Sequence, residues 1–257
     1  MNSRGTGARP VEDDLLFGRN AVRAALQGGR PLRRVVVSRQ ASGATVEEIV
    51  ALARNTGIPV LFRPRAELDR LAGRRHQGVV ALVAARPFAD FEKLMSRLDE
   101  TAFLVFLDRV KDPHNLGAVI RSACVTGADG VVVPQRQSAG LTGAVAKASA
   151  GAVDHIPVCR VRNLRDAILQ AKAAGLWITG LSPEAPRSFT EVDYKGPTAI
   201  VVGGEDRGIR RTVAEACDFA VSIPMVRGEV TGSLNASVAA GIALFEVYRQ
   251  RSGGKRR

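Results

Sequence analysis

From Ala102 onward the chain repeatedly alternates a short run of branched apolar residues with a segment of helical periodicity. Runs such as Phe103–Leu107 (FLVFL), Gly130–Val133 (GVVV) and Ala199–Val202 (AIVV) place apolar side chains at successive positions, not at every second one. Strands of that kind need cover on both faces, and strands separated by helices run parallel. The pattern predicts strands at Phe103–Leu107, Gly130–Val133, Ile156–Val161, Trp177–Leu181, Ala199–Val202 and Ala220–Ile223. It predicts helices at Leu116–Thr126, Ala144–Gly151, Asn163–Ala174, Arg210–Cys217 and Leu234–Arg249. The expected fold class is α/β, with a mostly parallel sheet.

A smaller α/β unit precedes it. Leu15–Gly28 reads as an amphipathic helix, followed by strand Arg34–Ser38, helix Thr45–Asn55, strand Ile58–Phe62, short helix Arg65–Leu71 and strand Gly78–Ala84. The segment from Pro87 to Thr101 mixes charges and opens on proline, as a linker does. The expected division is therefore residues 12–86, a linker at 87–101, and residues 102–251. The Gly/Ser/Arg-rich ends, 1–10 and 252–257, are expected to fray.

Charge narrows the partners. The 257 residues hold 37 Lys and Arg against 25 Asp and Glu, a formal net charge of +12. Of the 37 basic residues 31 are arginine, whose guanidinium grips phosphate bidentately and stacks on bases. Residues 1–90 alone carry 15 basic and 8 acidic side chains. Nucleic acid is the first expectation and an acidic membrane surface the second; charge does not separate RNA from DNA. No run approaches the roughly 18 apolar residues of a membrane span, and the polar N-terminus lacks a signal-peptide stretch. Three scattered cysteines, Cys124, Cys159 and Cys217, form neither a disulfide framework nor a metal-ligand pattern. A cytoplasmic protein is expected.

Ligands of open parallel sheets bind beyond the carboxyl ends of the strands. Three such ends are unusually polar or glycine-rich: Asp108–Gly117 (DRVKDPHNLG) with Arg121 beyond it, Gly203–Gly208 (GGEDRG), and Met225–Gly232 running into Ser233-Leu234-Asn235-Ala236-Ser237. Taken singly, each has an ordinary explanation. Asn115 meets Arg121 only if it lies at or before the helix cap, and an Asn cap beside a solvated Arg is the plain alternative. The glycines let backbone approach a ligand, or simply make a left-handed turn. Ser233, Asn235 and Ser237 suit a helix cap. His114 has no companion at metal-ligand spacing, so no metal is expected. Neither a Walker loop nor the G-x-G-x-x-G fingerprint is present.

In this order the three runs, DRVKDPHNLGAVIRSACVTGADGVVVP, IVVGGEDRGI and SIPM…SLNASVAAGIALFE, resemble the three motifs of the SpoU branch of the SPOUT methyltransferases. The segments FGRNAVRAAL and RRHQGVVA resemble the substrate-binding domain of its ribosomal-RNA members. The resemblance covers about residues 15–250. It implies a parallel-sheet catalytic domain with a trefoil knot, preceded by a small RNA substrate-binding domain. It implies transfer of a methyl group from S-adenosylmethionine to a ribose 2′-hydroxyl, most nearly at a guanosine of 23S ribosomal RNA. By matching position, Gly203, Gly204, Ile223, Pro224 and Leu234 would hold the cofactor. Arg121, Asn115, Asn235, Glu205 and Ser233 would form the catalytic constellation, with Asn115 holding Arg121. Arginine does not deprotonate in proteins, so Arg121 is expected to bind phosphate and steady a developing alkoxide. A homodimer is implied, for which Val238, Ile242 and Phe245 offer an apolar face; intrachain core is the alternative for that face. The loop Met225–Gly232, with Arg227 and Glu229, is longer than the family pattern, and Ala236 stands where Val is common. RNA displaces DNA and membranes as the partner. A tRNA methyltransferase and a non-catalytic RNA-binding or ribosome-assembly protein are the rival readings.

Overall fold

A computed structural model describes residues 15–83, 86–226 and 233–253. Residues 12–14, Ala84, Arg227 and Glu229, all part of the expectations above, lie outside the described residues, as do the ends 1–10 and 254–257. The chain divides into two compact units, Met1–Arg86 and Pro87–Arg257.

The first unit runs β1 (Leu15–Phe17), α1 (Arg19–Gln27), β2 (Leu32–Ser38), α2 (Ala44–Asn55), β3 (Val60–Arg63), α3 (Arg65–Ala72) and β4 (Val79–Val83). Its sheet has the order β1-β4-β2-β3, parallel only between β2 and β3. The helix expected from Leu15 begins only at Arg19. Gly18, at φ 93°, interrupts the backbone, and Leu15 and Phe17 pair with Leu82 and Val80 on β4. Val22, Leu26, Ile49 and Ala53 of α1 and α2 cover one sheet face through Val35, Val37, Val79 and Ala81. Leu68 of α3 covers the other.

Much of RRHQG serves this fold. His76 is fully buried, its Nδ1 accepting from Gly78 N at 2.9 Å and its Nε2 lying 2.9 Å from Asp69 Oδ1. An accepting Nδ1 leaves the proton on Nε2, which donates to Asp69. Gln77 Oε1 accepts from Arg19 N at 3.2 Å, meeting a donor at the start of α1 that the helix cannot satisfy itself. Arg74 and Arg75 stay exposed.

The second unit contains α4 (Phe91–Met95), β5 (Phe103–Asp108), α5 (Pro113–Val125), β6 (Gly130–Pro134), α6 (Gly143–Ala148), β7 (Val158–Val161), α7 (Leu164–Ala173), β8 (Trp177–Leu181), β9 (Thr198–Gly203), α8 (Arg211–Ala214), β10 (Phe219–Val221) and α9 (Ala236–Arg251). The segment 87–101 is not a free linker here. Phe91 and Leu94 are buried with Leu104, Phe106 and Val132 of the sheet, and Ala89 N donates to Val158 O. Two large apolar side chains three residues apart outweigh the mixed charges around them.

The sheet is wholly parallel, in the order β10-β8-β9-β5-β6-β7. Successive residues of β5 serve opposite faces: Phe103, Val105 and Leu107 pack with α5, α6 and α9, while Leu104 and Phe106 pack with α4, α7 and α8. From β5 the chain steps out to β6 and β7, then crosses to build β8 and β9 on the other side. The strand order therefore reverses between β5 and β9, which is where such sheets open a crevice for ligands.

Candidate active site

At that crevice Asp108, the last residue of β5, pairs with Gly203, the last of β9. Asp108 is 0% exposed, and a buried carboxylate requires charged or hydrogen-bonding partners. It receives Arg210 N at 2.7 Å, Arg210 Nε at 2.9 Å and Arg210 Nη2 at 2.7 Å. One side chain thus anchors the far end of the Gly203–Arg210 loop to β5. The near end is held by Gly204 N donating to Asp108 O at 2.8 Å. Arg109, at φ 64°, donates through Nη2 to the carbonyls of Arg207 and Gly208 at 3.3 and 3.0 Å.

These contacts decide what the glycines do. A Cβ on Gly203 would lie 2.2 Å from the carbonyl carbon of Gly208, and one on Gly204 would lie 2.4 Å from Arg109 O. Both positions need glycine because backbone packs directly on backbone. The left-handed turn sits at Gly208, φ 58°.

α5 starts at Pro113 with Asp112 as its cap, accepting from His114 N at 2.9 Å. Asn115 therefore lies inside the first turn and not at the cap, and it is 8% exposed. Its Nδ2 donates to Glu205 Oε1. Asn235 caps α9: its Oδ1 accepts from Ser237 N at 2.9 Å and Val238 N at 3.3 Å, which turns its amide nitrogen outward. That nitrogen donates to Glu205 Oε1 at 2.7 Å and lies 3.2 Å from Asn115 Oδ1. Asn115, Glu205 and Asn235 form one polar cluster, with both amides on the same carboxylate oxygen.

Arg121 does not join it. It lies six residues beyond Asn115, hence about 9 Å along the helix and about 120° around it, and it is exposed. The expected Asn115–Arg121 contact is absent, because Glu205 and Asn235 occupy the Asn115 amide. Ser233 is exposed at the approach to α9.

Glu205 also borders a cavity of about 500 Å³. Gly203, Gly204, Ile223, Ser233 and Leu234 lie in its wall, beside Leu181 and Ile209; Pro224 does not. Cys217 shares that wall, its thiol pushed up to about 12 by burial and then by the charge of Asp218, so it stays protonated and is no nucleophile. Pockets for small ligands run to about 300–1,000 Å³, mostly apolar with a few convergent polar groups. S-adenosylmethionine joins a flat apolar base to a polar sugar and amino acid. Apolar walls at Leu181, Ile209, Ile223 and Leu234, main chain at Gly203-Gly204, and the carboxylates of Glu184, Glu205 and Asp206 fit that composition.

Sequence reasoning missed Asp108 and Arg210. A single carboxylate directly after five apolar strand residues was the signal available. It also left the Val238, Ile242 and Phe245 face of α9 open between a dimer contact and intrachain core, and the structure buries a different face in the core. Ala240, Ala243, Leu244 and Val247 are buried, whereas Val238 is 49% and Phe245 58% exposed, with Ile242 between. Among the described residues no three His, Cys, Asp or Glu gather as a metal site, and no helix is long and apolar enough to cross a membrane.

A parallel sheet with this crevice and a carboxylate in the wall of its cavity is a frame for binding a small ligand, and family comparison specifies its use. Residues 102–245 match the SpoU rRNA Methylase family, and residues 15–89 match the RNA 2′-O ribose methyltransferase substrate binding domain. The chain belongs to the SpoU family of SPOUT methyltransferases. It is 41% identical over 244 residues to YacO of Bacillus subtilis (strain 168), named as a TrmH family tRNA/rRNA methyltransferase, covering 94% of this chain and 97% of that one. Two solved structures with AdoMet bound are similar. One is the SpoU methyltransferase AviRb of Streptomyces viridochromogenes, with TM-score 0.61 and 28% identity over 93% of this chain and 91% of that one. The other is an rRNA methyltransferase of Sinorhizobium meliloti, with TM-score 0.62 and 28% identity over 91% and 86%. The chain is an RNA methyltransferase, and S-adenosylmethionine is its cofactor.

Proposed function

We propose that the chain methylates the ribose 2′-hydroxyl of a guanosine in 23S ribosomal RNA, as a homodimer. Residues 12–86 would hold the RNA and residues 102–251 would carry the reaction. The observation that carries this reading is the Asn115–Glu205–Asn235 cluster, whose Glu205 lies in the wall of a cofactor-sized cavity. The 2′-oxygen is supported by the substrate-binding match, and ribosomal RNA by the Sinorhizobium meliloti neighbour. Guanosine rests on the motif resemblance.

When bound, S-adenosylmethionine supplies a methyl group on a positively charged sulfur. Gly203, Gly204, Ile223 and Leu234 would hold it, and Pro224 fixes the backbone that presents Ile223. A ribose hydroxyl is a weak nucleophile near neutral pH, so its proton must leave as the new bond forms. Glu205 Oε1 is taken by two amides, which orient the carboxylate. Its Oε2 has no partner among the described residues and would take that proton. Arg121 would bind the phosphate next to the reacting ribose and steady negative charge on its oxygen. Ser233, in the cavity wall, would supply a hydroxyl to the substrate.

The dimer is supported by apolar surface on the helix layer that carries Arg121. Val125 of α5 is 72% exposed, and Val238 and Phe245 of α9 lie exposed on the neighbouring helix. A two-fold contact through this layer would bring Arg121 to the subunit boundary, where it would serve the partner's site.

Labelled methyl transfer to unmodified 23S transcript and to tRNA, with mapping of the product, tests the reading. One labelled ribose in 23S RNA is expected; label on a base, or in tRNA alone, overturns it. Arg121→Ala should fold and bind cofactor yet lose at least about tenfold in rate, about 1.4 kcal/mol. Undiminished turnover would remove Arg121 from the mechanism.

A further inference from the structure

A second, smaller cavity of about 210 Å³ adjoins the first and has a different chemistry. Arg109, Lys111, Gln137, Gly204, Asp206 and Arg207 line it. Three cations face one carboxylate. Gly204, Asp206 and Arg207 border both cavities, so the Gly203–Arg210 loop forms part of the wall of each.

The site is held in place by strain. Only four described non-glycine residues have positive φ, and two of them, Arg109 at 64° and Gln137 at 61°, lie in this wall. Such conformations persist where surrounding structure enforces them, and they cluster at binding sites. Here the Arg109 guanidinium is fixed through Nη2 on the carbonyls of Arg207 and Gly208. Its Nε lies 4.0 Å from Asp108 Oδ2, a carboxylate that Arg210 also pairs with, and its Nη1 has no partner among the described residues. Lys111 Nζ meets Asp206 Oδ2 at 3.4 Å, with side chains 59% and 80% exposed, and exposed pairs of this kind contribute little. A better anion can displace that carboxylate. Gln137 adds an amide donor that carries no charge.

We propose that this cleft binds a backbone phosphate of the RNA substrate, next to the ribose that is methylated. A phosphodiester offers a single negative charge and two free oxygens, which suit one anchored guanidinium, one mobile ammonium and an amide. The shared loop gives the geometry: a phosphate held by Arg109 and Lys111 sits across Gly204 from the cofactor cavity, so the adjoining sugar is delivered toward Glu205. The inference rests on the reading of the chain as an RNA 2′-O-methyltransferase, and it adds a positioning contact distinct from the Asn115–Glu205–Asn235 cluster.

Lys111 borders only the smaller cavity, which makes it the position to test. Binding of unmodified 23S transcript should be measured against salt for the wild type, Lys111→Ala, Lys111→Glu and Lys111→Arg, alongside cofactor titration and methyl transfer. Lys111→Ala should raise the RNA KM three- to tenfold with kcat little changed, and reduce the salt slope of binding by about one. Lys111→Glu should do more, and Lys111→Arg should restore binding. Cofactor affinity should hold in all three variants; a cofactor defect of the same size as the RNA defect would assign the cleft to the cofactor's carboxylate and overturn the proposal. So would an RNA KM and salt slope unchanged in Lys111→Glu. Failure of the wild type to methylate RNA sinks the functional reading instead, and the salt slopes still judge the cleft.

Discussion

Glu205→Gln should lower kcat about 100-fold or more while changing cofactor affinity only a few-fold. The substitution is chosen because the cluster can survive it. A glutamine carbonyl can accept from Asn115 Nδ2 and Asn235 Nδ2 as the carboxylate oxygen does, so the wall of the cavity keeps its shape. What disappears is a group able to take a proton, and positioned proton transfer contributes about 10²–10⁴-fold. Single-turnover methyl transfer at saturating RNA reads the chemical step, and calorimetry with S-adenosylmethionine reads binding. Wild-type turnover in this variant would give the proton to another acceptor. A collapse of cofactor binding equal to the loss in rate would make Glu205 a binding residue.

Asp108→Ala should be the most damaging single truncation near the site, although Asp108 itself stands behind the cavity wall. Its carboxylate accepts both the main-chain N–H and the guanidinium of Arg210, and hydrogen bonds to charged groups contribute about 1.5–3 kcal/mol each when their loss leaves a partner unmet. The Arg210 side chain is 41% exposed and can turn to water, so the full penalty for a stranded buried charge does not apply. A loss of about 2 kcal/mol is expected, or about 4–8 °C in the melting temperature of the second unit. Cofactor affinity should fall at least tenfold, because the Gly203–Arg210 loop loses its far anchor. Asp108→Asn keeps an acceptor for Arg210 N and should recover part of both. Melting and binding both at wild-type values in Asp108→Ala would show that the loop is held by other means.

The frame of the second unit could be read from consecutive branched residues, since β5, β6 and β9 show the composition a doubly covered strand requires. Leu15–Phe17 and Phe91–Met95 could not be read that way. A three-residue strand has no period of its own, and it exists because β4 offers it a partner. The short α4 is fixed by Phe91 and Leu94 meeting the sheet, which local charge disguises. In the site, motif order singled out Asn115, Glu205 and Asn235, yet spacing could not show that both amides meet on one oxygen. Those residues are separated by 90 and 30 positions, so only the fold brings them together. The pairing of Asp108 with Arg210 was hidden for the same reason, at a separation of 102. Arg121 shows the limit from the other side: motif membership named it, while helix geometry turns it away from Asn115.

The meeting of Asn115, Glu205 and Asn235 also sets the order in which the cluster can assemble. The Asn235 amide is oriented by the first turn of α9, and α9 is held by the sheet through Ala240, Leu244 and Val247. A ribosome making this chain releases Asn115 early and α9 late. Until that helix emerges and docks, Glu205 lacks one of its two clamps and the cavity lacks the wall at Leu234 and Ala236. The cluster is therefore complete only after α9 has folded onto the sheet.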